Sequence, residues 1–152
     1  MLHVVPANLD DPAVVELLRT HVETARAQTA RGSAHALDLA ALRTAEMRVC
    51  CAWDGAALAG VGALRILSGA EGELKSMHTA AAHRRRGVGR AVLLHLVDMA
   101  RVMGLGRLSL ETGSWEYFAP ARALYRAHGF SECAPFGDYG PDPNSVYMTR
   151  TV

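Results

Sequence analysis

Arg84-Arg85-Arg86-Gly87-Val88-Gly89-Arg90 decides how the rest of the chain is read. It sits between an alternating segment, Glu73 to Thr79, and the longest helical pattern in the sequence, Gly87 to Met103, in which Val88, Ala91, Val92, His95, Leu96, Met99 and Val102 fall on one side. A strand that turns through glycines into a helix brings backbone N–H groups and the positive end of the helix dipole to one point, which is an anion site. The arginines add charge-assisted hydrogen bonds suited to phosphate. A Walker A loop needs Lys-Ser/Thr after its last glycine, and none follows. A dinucleotide fingerprint needs a third Gly or Ala, and Val92 stands there; Gly60-Val61-Gly62 fails the same test at Arg65.

On the N-terminal side, Asp54-Gly55 is a tight-turn signal between the apolar runs Arg48 to Trp53 and Ala57 to Leu67. Gly69 to Gly72 is a second turn, so three sequential strands, antiparallel in expectation, precede the loop. Further back, Leu2 to Pro6 reads as a first strand. Asp10-Asp11-Pro12 starts a helix carrying Val14, Leu17, Leu18, His21, Val22 and Ala25, and a second helical pattern runs around Leu37, Leu39, Leu42 and Ala45. Beyond the long helix, Gly104 and Gly106 stop it. Arg107 to Glu111 then reads as a buried strand, Ala119 to His128 as a helix, and Phe130 to Pro135 and Ser145 to Thr149 as two last strands around the Gly/Pro/Asp-rich stretch Phe136 to Asn144. The order is strand, two helices, three strands, helix, strand, helix, two strands. It predicts one α/β (α+β) domain over residues 1–152, a mixed, mostly antiparallel sheet of six to seven strands flanked by about four helices.

Two blocks together resemble the GNAT superfamily of acetyl-CoA-dependent N-acetyltransferases. One is Arg84-x-x-Gly87-x-Gly89; the other is Ala123-Leu124-Tyr125-Arg126-Ala127-His128-Gly129-Phe130, similar to the family's late helix ending in A-L-Y-x-x-x-G-F. The element order matches over nearly the whole chain. The resemblance implies that acetyl-CoA is the co-substrate, and that backbone and side chains of Arg84, Arg85, Arg86, Gly87, Val88, Gly89 and Arg90 hold its pyrophosphate. It also implies that the strand through Met77, His78 and Thr79 receives the pantetheine arm. Tyr125 is then the acid that reprotonates the leaving thiolate. Relatives often have a proline where Ala81 stands, and an asparagine where Glu111-Thr112-Gly113 stands.

Acetyl transfer to an amine also needs a base. An alkyl ammonium with a pKa near 10.4 is only about one part in two thousand neutral at pH 7. Glu73, ahead of the loop on its strand, is the first candidate and Glu111, at the end of the following strand, its rival, with His78 as a relay and water as the remaining option. His35, Asp38, Arg43, Trp115, Glu116, Tyr117, Tyr139, Asp142 and Asn144 are candidate contacts for an acceptor, whose identity the sequence leaves open between small amines, amino acids and peptides. The alternative is an acyl-CoA-binding sensor with little turnover.

Composition bounds the rest. Sixteen Lys and Arg balance 15 Asp and Glu, a net charge of +1, which supplies no field for nucleic acid or an anionic membrane. Cys50, Cys51 and Cys133 form no disulfide framework, and the seven His have no ligand spacing, so no metal is expected. Sparse cysteine, no apolar span and no leader pattern suggest a cytoplasmic location. Edge strands at the C-terminal end would suit a homodimer.

Overall fold

Asp54 and Gly55 turn the chain between two strands that pair along their length, β2 (Met47–Asp54) and β3 (Ala57–Ile66). Gly55 takes φ +58°, the left-handed conformation such a hairpin turn requires. The computed structural model describes all residues from Met1 to Val152. Around this hairpin lie β1 (Leu2–Pro6), β4 (Glu71–Thr79), β5 (Arg107–Gly113), β6 (Ser131–Glu132) and β7 (Ser145–Thr151), in one seven-stranded sheet of order β1-β2-β3-β4-β5-β7-β6. Every pairing is antiparallel except β4 with β5.

The helices are α1 (Pro12–Ala27), α2 (Leu39–Leu42), α3 (Val88–Val102) and α4 (Ala119–Ala127). Asp11 caps α1 by accepting from the Ala13 N–H at 2.9 Å, with Pro12 opening the helix. The sheet has a core on each face. Val92, Leu93, Leu96 and Val97 of α3 pack with Leu64, Leu74, Leu108, Leu110 and Met148 on one side. Val14 and Leu18 of α1 pack with Leu42, Met47, Val61 and Ala63 on the other. Alternate residues of each strand therefore serve opposite cores.

Two expected elements are shorter than their patterns. The second helix is four residues long: Asp38 caps it at the Ala41 N–H, and the Thr44 hydroxyl donates to the Ala41 carbonyl, ending it after a turn. The strand expected from Phe130 to Pro135 is only Ser131–Glu132. One more bond, Cys133 N–H to the Tyr147 carbonyl, follows, and Pro135 has no N–H with which to continue.

Two irregularities shape the middle of the sheet. β4 and β5 pair only from Glu71–Arg107 to Leu74–Leu110 and then separate. Just beyond that point Ser76 adopts φ +56°, and the register with β3 shifts between Val61 and Ala63, a β-bulge opposite Gly62. The bulge turns Met77 toward α3. A Cβ on Gly62 would stand 2.8 Å from the Met77 Sδ and 2.5 Å from Val92 Cγ1, so only glycine leaves room there.

Candidate active site

The gap between β4 and β5 opens into a pocket of about 110 Å³, lined from β4 by Lys75, Ser76 and Met77 and from β5 by Glu111, Thr112 and Gly113. His21 and Thr29 from the α1 side, with Phe118 and Tyr125 from the other, complete its walls. A second cavity of about 570 Å³ runs past Met77, His78 and Thr79 to Arg84, Arg85, Gly87, Val88, Gly89 and Arg90. The two share His21, Met77, Phe118 and Tyr125 and so meet at the mouth of the β4–β5 gap.

The larger groove ends on the glycine loop. Arg85 has φ +62° and Gly87, the residue before α3, φ +78°. No side chain caps this helix, so the N–H groups of Val88, Gly89 and Arg90 remain free for an anion. A Cβ at Gly87 would meet nothing, whereas at Gly89 it would lie 3.2 Å from Leu124 Cδ2 on α4. Gly87 thus serves the turn, and Gly89 the approach of α3 to α4. Arg84, Arg85 and Arg90 line the groove; Arg86 is exposed outside its walls. Beyond Leu74 the β5-facing edge of β4 is unpaired, so its backbone groups are open to an extended ligand.

Glu111 is half-buried on β5 and accepts a 2.7 Å hydrogen bond from Ser145 Oγ. Burial raises its pKa to about 7, partly offset by that bond and by the Lys75 charge. Tyr125, on α4, packs edge-on against Phe130 and is buried. Its hydroxyl ionises well above the ordinary phenol range, through burial first and the Glu111 charge second.

Glu73 is placed differently. Its carboxylate faces Lys75 and Tyr139, not the pocket. Lys75 Nζ lies 3.1 Å from Glu73 Oε2, and the Tyr139 hydroxyl donates to the same oxygen at 2.6 Å. Lys75 Nζ also donates to the Tyr139 hydroxyl at 2.8 Å, closing a triangle with the loop residue. Tyr139 stacks edge-on with His35 and Phe136, fixing the 136–144 loop over the sheet.

His21 and His78 meet across the groove, Nδ1 to Nδ1 at 3.2 Å. Burial, with the neighbouring positive groups, lowers both pKa values, that of His21 to about 4, so the pair is neutral at pH 7. Only one of the two Nδ1 atoms then carries the shared proton. Of the acceptor candidates, His35 lines the pocket and Tyr117 the groove, while Tyr139 holds the Lys75–Glu73 pair. Trp115 donates to the Asn144 side chain at 3.1 Å, and Asp142 accepts from the Asn144 backbone at 2.8 Å, so these three build the loop. Asp38 caps α2 and Arg43 pairs with Asp10, both away from the walls, and Glu116 lines neither cavity.

His21, Thr29, Lys75 and Ser76 line the pocket although sequence reasoning did not select them. His21 looks like one more member of a helix stripe. Lys75 looks like the polar phase of an alternating strand, although Glu-x-Lys on one strand face does predict a pair. No three His, Cys, Asp or Glu side chains converge to hold a metal ion.

A groove ending on an uncapped helix and a pocket opening from splayed strands, joined at a tyrosine, is an arrangement for two substrates. Residues 14–130 match the model of the acetyltransferase (GNAT) family. The chain belongs to that family. It is 46% identical over 151 residues to the uncharacterised N-acetyltransferase YsnE of Bacillus subtilis, covering 99% of this chain and 100% of that one. It is 42% identical over 145 residues to the uncharacterised N-acetyltransferase YedL of Escherichia coli, covering 95% and 91%. The solved structure of a Klebsiella pneumoniae protein described as an acyl-CoA N-acyltransferase superposes with a TM-score of 0.84 at 25% identity, covering 99% of this chain and 97% of that one. As a GNAT acetyltransferase this protein is an acyltransferase with acetyl-CoA as its co-substrate. Its groove suits that molecule: free N–H groups and arginines at one end for phosphates, and an open strand edge for an amide-bearing arm.

Proposed function

We propose that this GNAT acetyltransferase transfers the acetyl group to a primary amine of a small molecule by direct attack in a ternary complex. One observation carries the reading: the groove and the pocket converge at Tyr125, with Glu111 on the pocket wall at a pKa of about 7. Acetyl-CoA lies along the groove, with its pyrophosphate on Val88, Gly89 and Arg90 and its arm beside Met77 and Thr79. The amine enters the smaller pocket. Glu111, poised near neutrality, accepts the ammonium proton. The amine nitrogen then attacks the thioester carbonyl to give a tetrahedral intermediate. As the C–S bond breaks, Tyr125, protonated until then, gives its proton to the departing sulfur, and the second proton shed by the amine nitrogen restores the phenol. Holding both reactants at one junction supplies the remaining advantage.

Glu73 supports the site from beneath by neutralising Lys75. Its carboxylate is engaged on both sides, which leaves the base role to Glu111. The arginines serve a phosphate ligand, and the +1 charge offers nothing to nucleic acid. No helix of the chain is long and apolar enough to cross a membrane. A reducing, cytoplasmic setting suits the three free thiols. The exposed backbone of the edge strands β1 and β6 is where a homodimer would form.

The test is thiol release from acetyl-CoA with pooled amines, followed by mass spectrometry of the product. An N-acetylated product formed at a rate that follows an ionisation near pH 7 is expected. Acetylation of a hydroxyl only, or acetyl-CoA binding with no transfer to any pool, would sink the reading, the latter in favour of a sensor.

A further inference from the structure

The small pocket is rich in donors that the protein does not use. The Ser76 hydroxyl, on a residue 7% exposed, and the Thr29 hydroxyl are both buried without a hydrogen-bond partner, and both residues line this pocket. Lys75 lines it too. Its ammonium has three N–H groups and gives only two of them to protein, to Glu73 and to Tyr139. Buried polar groups left unpaired are costly, so native structures leave them for a reason. Three unspent donors thus belong to lining residues of β4 and the α1 side, around a pocket whose β5 wall carries the one carboxyl, Glu111. The pocket therefore has a donor end and an acceptor end.

An amine alone uses only the second. We propose that the acceptor is an amine that also bears a carboxylate, a small α-amino acid in the simplest case, with its amine at Glu111 and its carboxylate held by Lys75, Ser76 and Thr29. This rests on the proposed amine acetylation at the same site. A carboxylate accepts up to four hydrogen bonds and carries the charge that a lysine N–H matches. The Glu73–Lys75 pair is neutral as a unit, so the selectivity comes from directed N–H and O–H groups more than from net field. A polyamine would bring a second cation against Lys75, and a folded protein surface does not fit about 110 Å³.

The experiment compares kcat/KM for glycine and serine with glycinamide, serinamide, ethanolamine and spermidine. The amides keep size and hydrogen-bonding oxygen but lose the charge, and their amines are less basic, so reactivity alone would favour them. The amino acids are expected to win by roughly ten- to a hundredfold. Two variants remove the donors gently: Ser76→Gly, which suits φ +56°, and the isosteric Thr29→Val. In each, the ratio of amino acid to amide kcat/KM should fall toward one, which a merely structural role would not move. Equal or better use of the amides or ethanolamine overturns the inference while the amine transferase stands, and so does an unchanged ratio in both variants. If no amine supports thiol release although calorimetry shows acetyl-CoA bound, the transferase reading fails and takes this inference with it.

Discussion

Tyr125 on α4 and Glu111 on β5 share one pocket, and the negative charge of the glutamate adds to burial in holding the tyrosine's proton. The coupling favours opposite jobs. A phenol that does not ionise near neutrality is a donor, and a carboxyl poised at about 7 is an acceptor.

Tyr125→Phe should therefore lower kcat by about 10²-fold or more and leave the acetyl-CoA dissociation constant within about twofold. The Tyr125 hydroxyl bonds to no other group of the chain, so its removal should not disturb packing. Stopped-flow thiol release beside calorimetry separates the two effects. A variant with full turnover would retire Tyr125 as the acid.

Glu111→Gln should reduce kcat/KM by about 10²-fold or more and erase the rise in rate through pH 7. It should also change stability in a pH-dependent direction. The folded protein raises this pKa, so folding favours the protonated carboxyl. The native chain loses stability as pH climbs from about 4.5 through about 7, where the unfolded carboxyl ionises freely. Solvent at the pocket reduces the effect to about 1–2 kcal/mol. The glutamine variant should match the parent at pH 4 and exceed it at pH 8 in urea denaturation; a lower stability at pH 8 would contradict the assignment.

The order of elements along the chain, the glycine loop and the late tyrosine helix were legible because each rests on local signals. Asp54-Gly55 writes a hairpin, Gly87 writes a helix start, and Leu108 and Leu110 write one face of a strand. The junction of the two cavities was not legible. It depends on where β4 and β5 separate, beside the Ser76 bulge, and a serine gives no sign that it will adopt φ +56°. The His21–His78 contact joins residues 57 apart in sequence. Sequence reasoning favours Glu73 over Glu111 as the base because Glu73 opens the strand that runs into the glycine loop, and nothing local shows that its carboxylate is already engaged. Only the packing of Tyr139 and Lys75 against Glu73 reverses that order.

Glu73→Gln should be a stability variant first. Its side chain and that of Lys75 are 3% and 7% exposed, and the change leaves an ammonium buried without its counter-ion. Breaking such a pair costs about 3–5 kcal/mol. Where the variant remains folded, the pH–rate limb near 7 should persist. A Glu73→Gln enzyme without that limb, beside a Glu111→Gln enzyme that keeps it, would exchange the two roles.

Gly89→Glu should weaken acetyl-CoA binding at least tenfold with little loss of fold. A carboxylate in the first turn of α3 is tolerated, even favoured, by the helix dipole. The new Cβ presses on Leu124 Cδ2 at 3.2 Å, a flexible contact. What the carboxylate cannot tolerate is a pyrophosphate seated on the same N–H groups. Unchanged calorimetric affinity would remove the loop from the binding site.

Gly62→Ala tests the link between core packing and the site. The added methyl would stand 2.5 Å from Val92 Cγ1 and 2.8 Å from Met77 Sδ, closer than real contacts allow, and a tight 3.1 Å from Leu96 Cδ1. Overpacking of this kind costs about 1–3 kcal/mol. Met77 is the flexible partner and lines both cavities, so it should yield first and carry the strain into their junction. The expected result is a lower melting temperature together with a raised KM for acetyl-CoA. Adding Val92→Ala, which returns the volume on the α3 side, should recover part of both. Recovery of stability without recovery of KM would show that the bulge, and not the core behind it, sets the position of Met77.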